Sequence, residues 1–255
     1  MSDTSNGGGL HRVVHTMGTV FSFTVRDAPA PALRRALDQA EELLHHVDRV
    51  FSPFRDDSAV SALSRGEAVP ERWRTEVAEV LGLCERAERR SEGWFSARHS
   101  TGLDPSGLVK GWAVEGAARL LREAGGGDVC VNGGGDVQLH GGPWRVGVAH
   151  PIRTGEVAAV VESQAGPLAV ATSGTAERGC HIVDPHTGAP PTGAPLSLTV
   201  VCPTLTEADT LATAAYARGA GARTWLAGLP RVAAFAVEAD GSTWTTGEFA
   251  GAVPS

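Results

Sequence analysis

Apolar and polar residues alternate over residues 12–25 (RVVHTMGTVFSFTV), a period of two that predicts a pair of strands turning at Met17–Gly18–Thr19. A break at 28–31 ends that pattern. Over 33–51 the positions Leu37, Ala40, Leu43, Leu44, Val47 and Val50 recur at helical spacing, the stripe of an amphipathic helix. Residues 52–70 are turn-rich, with 58–63 as one or two helical turns. A second helix is predicted over 72–91 through Val77, Val80, Leu81, Cys84 and Ala87, ending at Gly93. A third starts near Val109 and runs to Glu123, where Gly125, Gly126 and Gly127 stop it. Further strands are expected at 128–131, 144–149, 157–161, 168–172 and 196–201. A fourth helix covers 207–218, 224–227 extends it, and strands at 233–238 and 243–245 turn around Asp240–Gly241.

Strands and helices therefore intermix without a regular βαβ period, which predicts an α+β fold with mixed or antiparallel sheets and surrounding helices. No repeat or long linker divides the chain, so residues 1–10 are read as a flexible polar start and 11–255 as one domain. Hydrophobic content of 42% and charged content of 20% are those of an ordinary globular protein. A net charge of -7 and scattered arginines argue against a nucleic-acid surface. The N-terminus lacks the basic start, apolar run and cleavage site of a secretory signal, and no apolar stretch nears the ~20 residues of a membrane span. A cytoplasmic location without membrane insertion is expected. Cys84, Cys130, Cys180 and Cys202 form no CxxC pair and read as reduced, partly buried small hydrophobes.

Four segments carry polar and glycine residues that a core does not need. In DPSGLVKG (104–111) a helix start offers N–H groups to an anion, Lys110 adds charge, and Asp104 can accept from a ribose hydroxyl or ring N–H. The plainer alternative is an Asp-Pro-Ser cap with a surface lysine. NGGGD (132–136) suits either a loop beneath a ligand or a tight turn between strands, and is not GxGxxG. In 171–190, Thr172, Ser173 and Gly174 can donate to phosphate, and His181 can accept a proton near pH 7, or else is structural. His181 and His186 are separated by Pro185 with no third nitrogen or sulfur ligand nearby, against a zinc site. In EADTLATAA, Asp209 and Thr213 lie four apart on one helix face, an all-oxygen set suited to Mg2+, or a dipole-facing aspartate with a threonine behind it.

The order Met17–Gly18–Thr19, FSPFRDDS, GWF, DPSGLVKGWA, NGGGD, ATSG, HIVDPHTGAP and the Asp209/Thr213 helix resembles the ApbE family of FAD:protein FMN transferases across 17–219. The resemblance implies an ApbE-like domain that binds FAD as substrate. Met17, Phe54, Gly93, Trp94, Phe95, Asp104, Lys110, Thr172, Ser173, Gly174 and Val183 match FAD-contacting positions, with Phe54 where many members have tyrosine. The metal positions fall on Gly107 and Ala212 through their carbonyls, with Asp209 and Thr213. His181 matches the histidine proposed as base; Lys110 and Asp209 complete the catalytic set.

The implied reaction is Mg2+-dependent transfer of FMN from FAD to a threonine or serine hydroxyl of an acceptor protein, with release of AMP. FAD hydrolysis to FMN and AMP, or FAD binding without turnover, are the alternatives. Two departures from the family pattern stand out. Asp104–Pro105–Ser106–Gly107 replaces Asp-Leu-Gly-Gly, and Ala212 stands where some members carry a second acidic residue.

Overall fold

The computed structural model describes residues 8–99, 102–174, 182–249 and 251–252. The first hairpin joins β1 (Leu10–Thr16) to β2 (Thr19–Val25) through Met17 and Gly18, at φ 49° and 66°. Two consecutive positive φ values match the right-handed twist of the strands they connect. Helix α1 (Pro31–Phe51) opens on a proline whose missing N–H costs nothing in a first turn. It buries Leu33, Leu37, Ala40, Leu44, Val47 and Val50 along one stripe. Helix α2 (Ala59–Ser64) is capped by the Ser58 hydroxyl, which accepts from the Ser61 N–H at 3.0 Å. A 3-10 turn at Glu71–Trp73 leads into α3 (Arg74–Arg90).

Two short strands, β3 (Arg98–His99) and β4 (Gly102–Leu103), pair before α4 (Ser106–Glu123). That helix begins three residues earlier than its apolar period predicts. Pro105 supports the entry, and the Asp104 carboxylate accepts the Ser106 N–H at 3.0 Å. Next come β5 (Val129–Gly133), β6 (Asp136–His140), β7 (Trp144–Ala149), β8 (Val157–Ser163), β9 (Leu168–Gly174) and β10 (Ser197–Cys202). Then follow α5 (Leu205–Arg218), α6 (Ala222–Ala227), β11 (Ala233–Val237), β12 (Thr243–Thr246) and β13 (Gly251–Ala252). The α+β expectation holds; β6 and the two-residue strands β3, β4 and β13 are those the hydrophobic pattern did not reveal.

Eight strands form one antiparallel sheet in the order β1-β2-β5-β6-β9-β10-β11-β12, while β13-β8-β7 form a second sheet. Helices α1, α4 and α5 cover one face of the large sheet, with Phe21, Phe23, Val129, Val131, Leu198 and Val200 among the core residues. The small sheet covers part of the other face. Val148, Ala159 and Val161 meet Val170, Val201, Phe235 and Val237 there. Strands β10 and β11 are thus buried on both faces, which explains why they read as continuous small or apolar runs instead of alternating. Burial pushes the thiols of Cys84 and Cys202 up to about 12 and that of Cys130 up to about 11, so these three are inert small side chains.

Helices α4 and α5 meet at Gly111. A Cβ there would lie 2.7 Å from the Leu205 carbonyl oxygen and 2.9 Å from the Asp209 Cβ, neither of which can swing away. Gly111→Ala is expected to lose about 1–2 kcal/mol in urea unfolding, because crowding outweighs the ~1 kcal/mol gain in helix propensity. A stability equal to or above that of the parent chain would show that the two helices can separate freely.

Candidate functional site

At one end of the central strands, between the helical layer and the small sheet, lies a cavity of about 310 Å³. Its floor is built from strand ends: β6 begins at Asp136, β9 ends at Gly174, and Ser197 of β10 pairs with Gly174. NGGGD is a hairpin turn, with Gly134 and Gly135 at φ 60° and 94° between the paired Gly133 and Asp136. Of the two readings of that segment, the tight turn is the geometry, and both turn glycines also line the cavity. A side chain at Gly134 would collide with the Thr19 hydroxyl at 2.6 Å, so glycine is required by packing as well as by φ.

Lys110 projects from the second turn of α4 and pairs with the Asp136 carboxylate. Its ammonium also lies 3.9 Å from Asp209 Oδ1. Asp136 is 2% exposed and Asp209 5%, so two buried carboxylates flank one ammonium. The second oxygen of Asp136 accepts the Thr172 N–H at 2.9 Å, and the Thr172 hydroxyl lies 2.8 Å from the fully buried Thr199 hydroxyl. Thr172 therefore directs these two groups into the fold. Asp209 Oδ2 accepts the Gly111 N–H at 3.0 Å. Regular helix geometry aims that same N–H at the Gly107 carbonyl, so Asp209 competes with that carbonyl for its donor. One turn beyond Asp209, the Thr213 hydroxyl stands 3.3 Å from where a Gly107 Cβ would be.

Helix α5 holds Asp209 and Thr213 in place because its first turn is capped by side chains from elsewhere. Gln138 Oε1 accepts the Leu205 N–H at 2.8 Å, and Glu115 Oε2 accepts from the Thr206 N–H and hydroxyl at 3.0 and 2.6 Å. The amide nitrogen of Gln138 reaches the carbonyls of Leu139, Leu168 and Pro203 at 3.2–3.3 Å. On the opposite rim, Ser91 Oγ accepts the Phe95 N–H at 2.8 Å and holds a turn in which Glu92 and Gly93 have φ 57° and 84°. The Trp94 ring meets His186 edge-on at 4.7 Å. Asp184 orders the turn that carries His186, its carboxylate accepting the His186 N–H at 2.8 Å.

Of the residues singled out by sequence, Trp94, Phe95, Asp104, Gly107, Lys110, Thr172, Ser173, Gly174, Val183, Asp209 and Thr213 line this one cavity. Met17 sits at the β1–β2 turn against the core, and Gly93 packs on His186 outside the lining. Phe54 is 94% exposed, and Ala212 is buried behind its helix. His181 lies outside the described residues. Asp136, His99 and His150 line the cavity without having been singled out. The terminal carboxylate of NGGGD was the visible signal for Asp136; its partner Lys110 is 26 residues away, beyond any local spacing rule.

Oxygen donors dominate the α4–α5 wall: the Asp209 carboxylate, the Thr213 hydroxyl and the backbone at Gly107. That chemistry fits Mg2+, a hard cation that keeps water and substrate oxygens in its shell. Among the described residues no three His, Cys, Asp or Glu side chains gather as a self-sufficient metal cluster. Nor is any helix among them long and apolar enough to cross a membrane.

The ApbE family model matches residues 17–99 and 96–236. A FAD:protein FMN transferase of Vibrio cholerae is 33% identical over 82% of this chain and 81% of its own length. One from Klebsiella pneumoniae is 32% identical over 42% of this chain and 34% of its own. Among solved structures, the ApbE protein of Thermotoga maritima superposes with a TM-score of 0.79 at 20% identity, covering 94% of this chain and 98% of that one. The flavinyl transferase ApbE of Pseudomonas stutzeri gives 0.78 at 23% identity over 96% of each chain. These two share the fold.

Gln138→Leu removes the cap of α5 and leaves buried groups unpaired. It is expected to cost about 2–3 kcal/mol in urea unfolding and to speed hydrogen exchange at Leu205. Unchanged exchange there would mean that α5 does not depend on Gln138.

Proposed function

The chain belongs to the ApbE family, and from that premise we propose that it is an FAD:protein FMN transferase acting on a threonine or serine hydroxyl of an acceptor protein. The transferase unit is taken as residues 11–255. One observation carries this reading: Lys110, Asp209, Thr213 and Gly107 face a single cavity whose other wall is strand ends and glycine turns. An ammonium beside an all-oxygen wall is what a pyrophosphate needs, since phosphate oxygens take charge-assisted bonds and share a divalent cation.

Asp209, Thr213 and the carbonyls of Gly107 and Ala212 are the residues that would hold Mg2+. When bound, the ion supplies neutralisation of charge on the pyrophosphate. Lys110 binds the phosphates from the other side of Asp209. Asp104, fixed at the head of α4, and Val183, on the loop facing it, position the flavin nucleotide. Trp94 gives the rim an aromatic surface against which a planar ring can pack, while Phe95, 2% exposed, packs beneath it against Gly107. His181 takes the proton of the acceptor hydroxyl as its oxygen bonds to the phosphorus that carries the FMN half. The bond from that phosphorus to the AMP oxygen breaks, and AMP leaves.

The deciding experiment incubates the protein with FAD, Mg2+ and a threonine-bearing acceptor domain, and measures acceptor mass and free AMP. The expected result is an acceptor heavier by FMN with matching AMP. AMP with free FMN and an unmodified acceptor would make the protein a hydrolase, and intact FAD would make it a binder without turnover. Asp209→Asn is expected to raise the Mg2+ concentration needed for half-maximal AMP release; an unaltered requirement would remove Asp209 from the metal site. His181→Ala is expected to slow transfer by roughly 10²–10⁴-fold while FAD still binds, the usual range for losing a general base. Unchanged transfer would take that role from His181.

A further inference from the structure

Lys110 is the only lysine in the chain; every other basic side chain among its 22 lysines and arginines is arginine. The ammonium it carries meets a carboxylate that is 2% exposed and that takes no part in the transfer steps. A compact ammonium on a flexible stem fits between Asp136 and Asp209, whereas a planar guanidinium demands a wider, fork-shaped partner.

We propose that Asp136 is a positioning residue: one of its oxygens holds the Lys110 ammonium in the cavity while the other, bonded to the Thr172 N–H, fixes that ammonium relative to the end of β9. The inference rests on the reading of this cavity as a flavin dinucleotide site. Its physical content is geometric. Asp136 is the first residue of β6, placed by the two-glycine turn, and Thr172 lies near the end of β9. One carboxylate thus joins α4, β6 and β9 at the cavity floor. Loss of that anchor would leave the ammonium less tightly held, and binding phosphate would then require more ordering of it.

The single lysine makes the test direct, since an amine-acylating reagent can label Lys110 and the N-terminus alone, and peptide mass spectrometry tells them apart. Asp136→Asn keeps an oxygen for the Thr172 N–H but removes the charge that holds the ammonium. In flavin-free protein it is expected to acylate Lys110 several-fold faster than the parent. Its affinity for FAD, read by flavin fluorescence, is expected to fall about tenfold, in line with the loss of one charge-assisted contact. In a Lys110→Met background the same change is expected to alter FAD affinity less than twofold. An unchanged acylation rate would overturn the proposal, as would an undiminished FAD effect in the Lys110→Met chain.

If Asp136→Asn alone does not fold, thermal melting of Lys110→Met against Lys110→Met/Asp136→Asn decides. Neutralising Asp136 is expected to raise the melting temperature, because the lone methionine leaves a buried carboxylate without its cation. A lower melting temperature in the double variant would overturn the pairing. A parent chain that neither binds FAD nor is protected by it from acylation would sink the flavin reading instead. The acylation and melting results would still stand on their own.

Discussion

The contact between α4 and α5 at Gly111 is the constraint on which the cavity depends. Two helices can come this close only where side chains are absent or small, and here Gly111 faces the backbone of Leu205 and the β-carbon of Asp209. The approach brings the Asp209 carboxylate onto the Gly111 N–H, and that bond is what makes burial of the aspartate tolerable. An unpaired carboxylate at 5% exposure would be strongly disfavoured; with a backbone donor and an ammonium at 3.9 Å, its charge is compensated where it stands. The same contact sets the distance across which Gly107 and Thr213 face each other. A packing decision between helices thereby becomes the spacing of a polar wall.

The sheet supplies the other half. Strands β9 to β11 are sandwiched, with Ala169, Ala171, Leu198 and Val200 toward the helices and Val170, Val201, Phe235 and Val237 toward the small sheet. Two covering layers cannot both follow the strands to their ends, and the cavity opens where β6 begins, β9 ends and β10 begins. Strand ends expose backbone groups and terminate in turns, so the floor is polar although its strands are apolar. The β7–β8 excursion, entered through Gly141 and Gly142, brings Val146 to His150 over that opening as the outer wall.

Much of this was legible in the chain because periodicity and placement agreed. Alternation over 12–25 and the stripes of α1 and α3 come from elements with one buried face, and such elements write their period into the sequence. Strand β6 was hidden because its inner residues, Val137, Gln138 and Leu139, are all buried, so no alternation survives. Buried Gln138 looks like a surface residue until its three carbonyl neighbours and the Leu205 N–H come into view. At the site, Lys110, Asp209 and Thr213 were readable from local motifs and from family resemblance. Asp136 was not assigned, since its meaning lies in two partners 26 and 36 residues away. Phe54 shows the converse: a motif position can be found by its neighbours while its ring stands in solvent.

An acidic chain that takes an anionic substrate presents a charge problem, and its resolution is local. At physiological ionic strength, exposed charges beyond ~8 Å are largely screened, so a formal charge of -7 spread over the surface has little say inside a cavity. Around the ammonium itself stand Asp136 and Asp209, and with Lys110 these three groups carry one excess negative charge. Alone, they would repel a pyrophosphate. With a divalent cation on the Asp209 side, the balance turns positive by one, and the pyrophosphate becomes the partner that completes it. A second carboxylate at the Ala212 position, as the family resemblance implies for some members, would bring that balance to zero. With alanine there, a cation bound as proposed and the substrate would depend on each other, so that each is expected to bind weakly without the other and tightly with it.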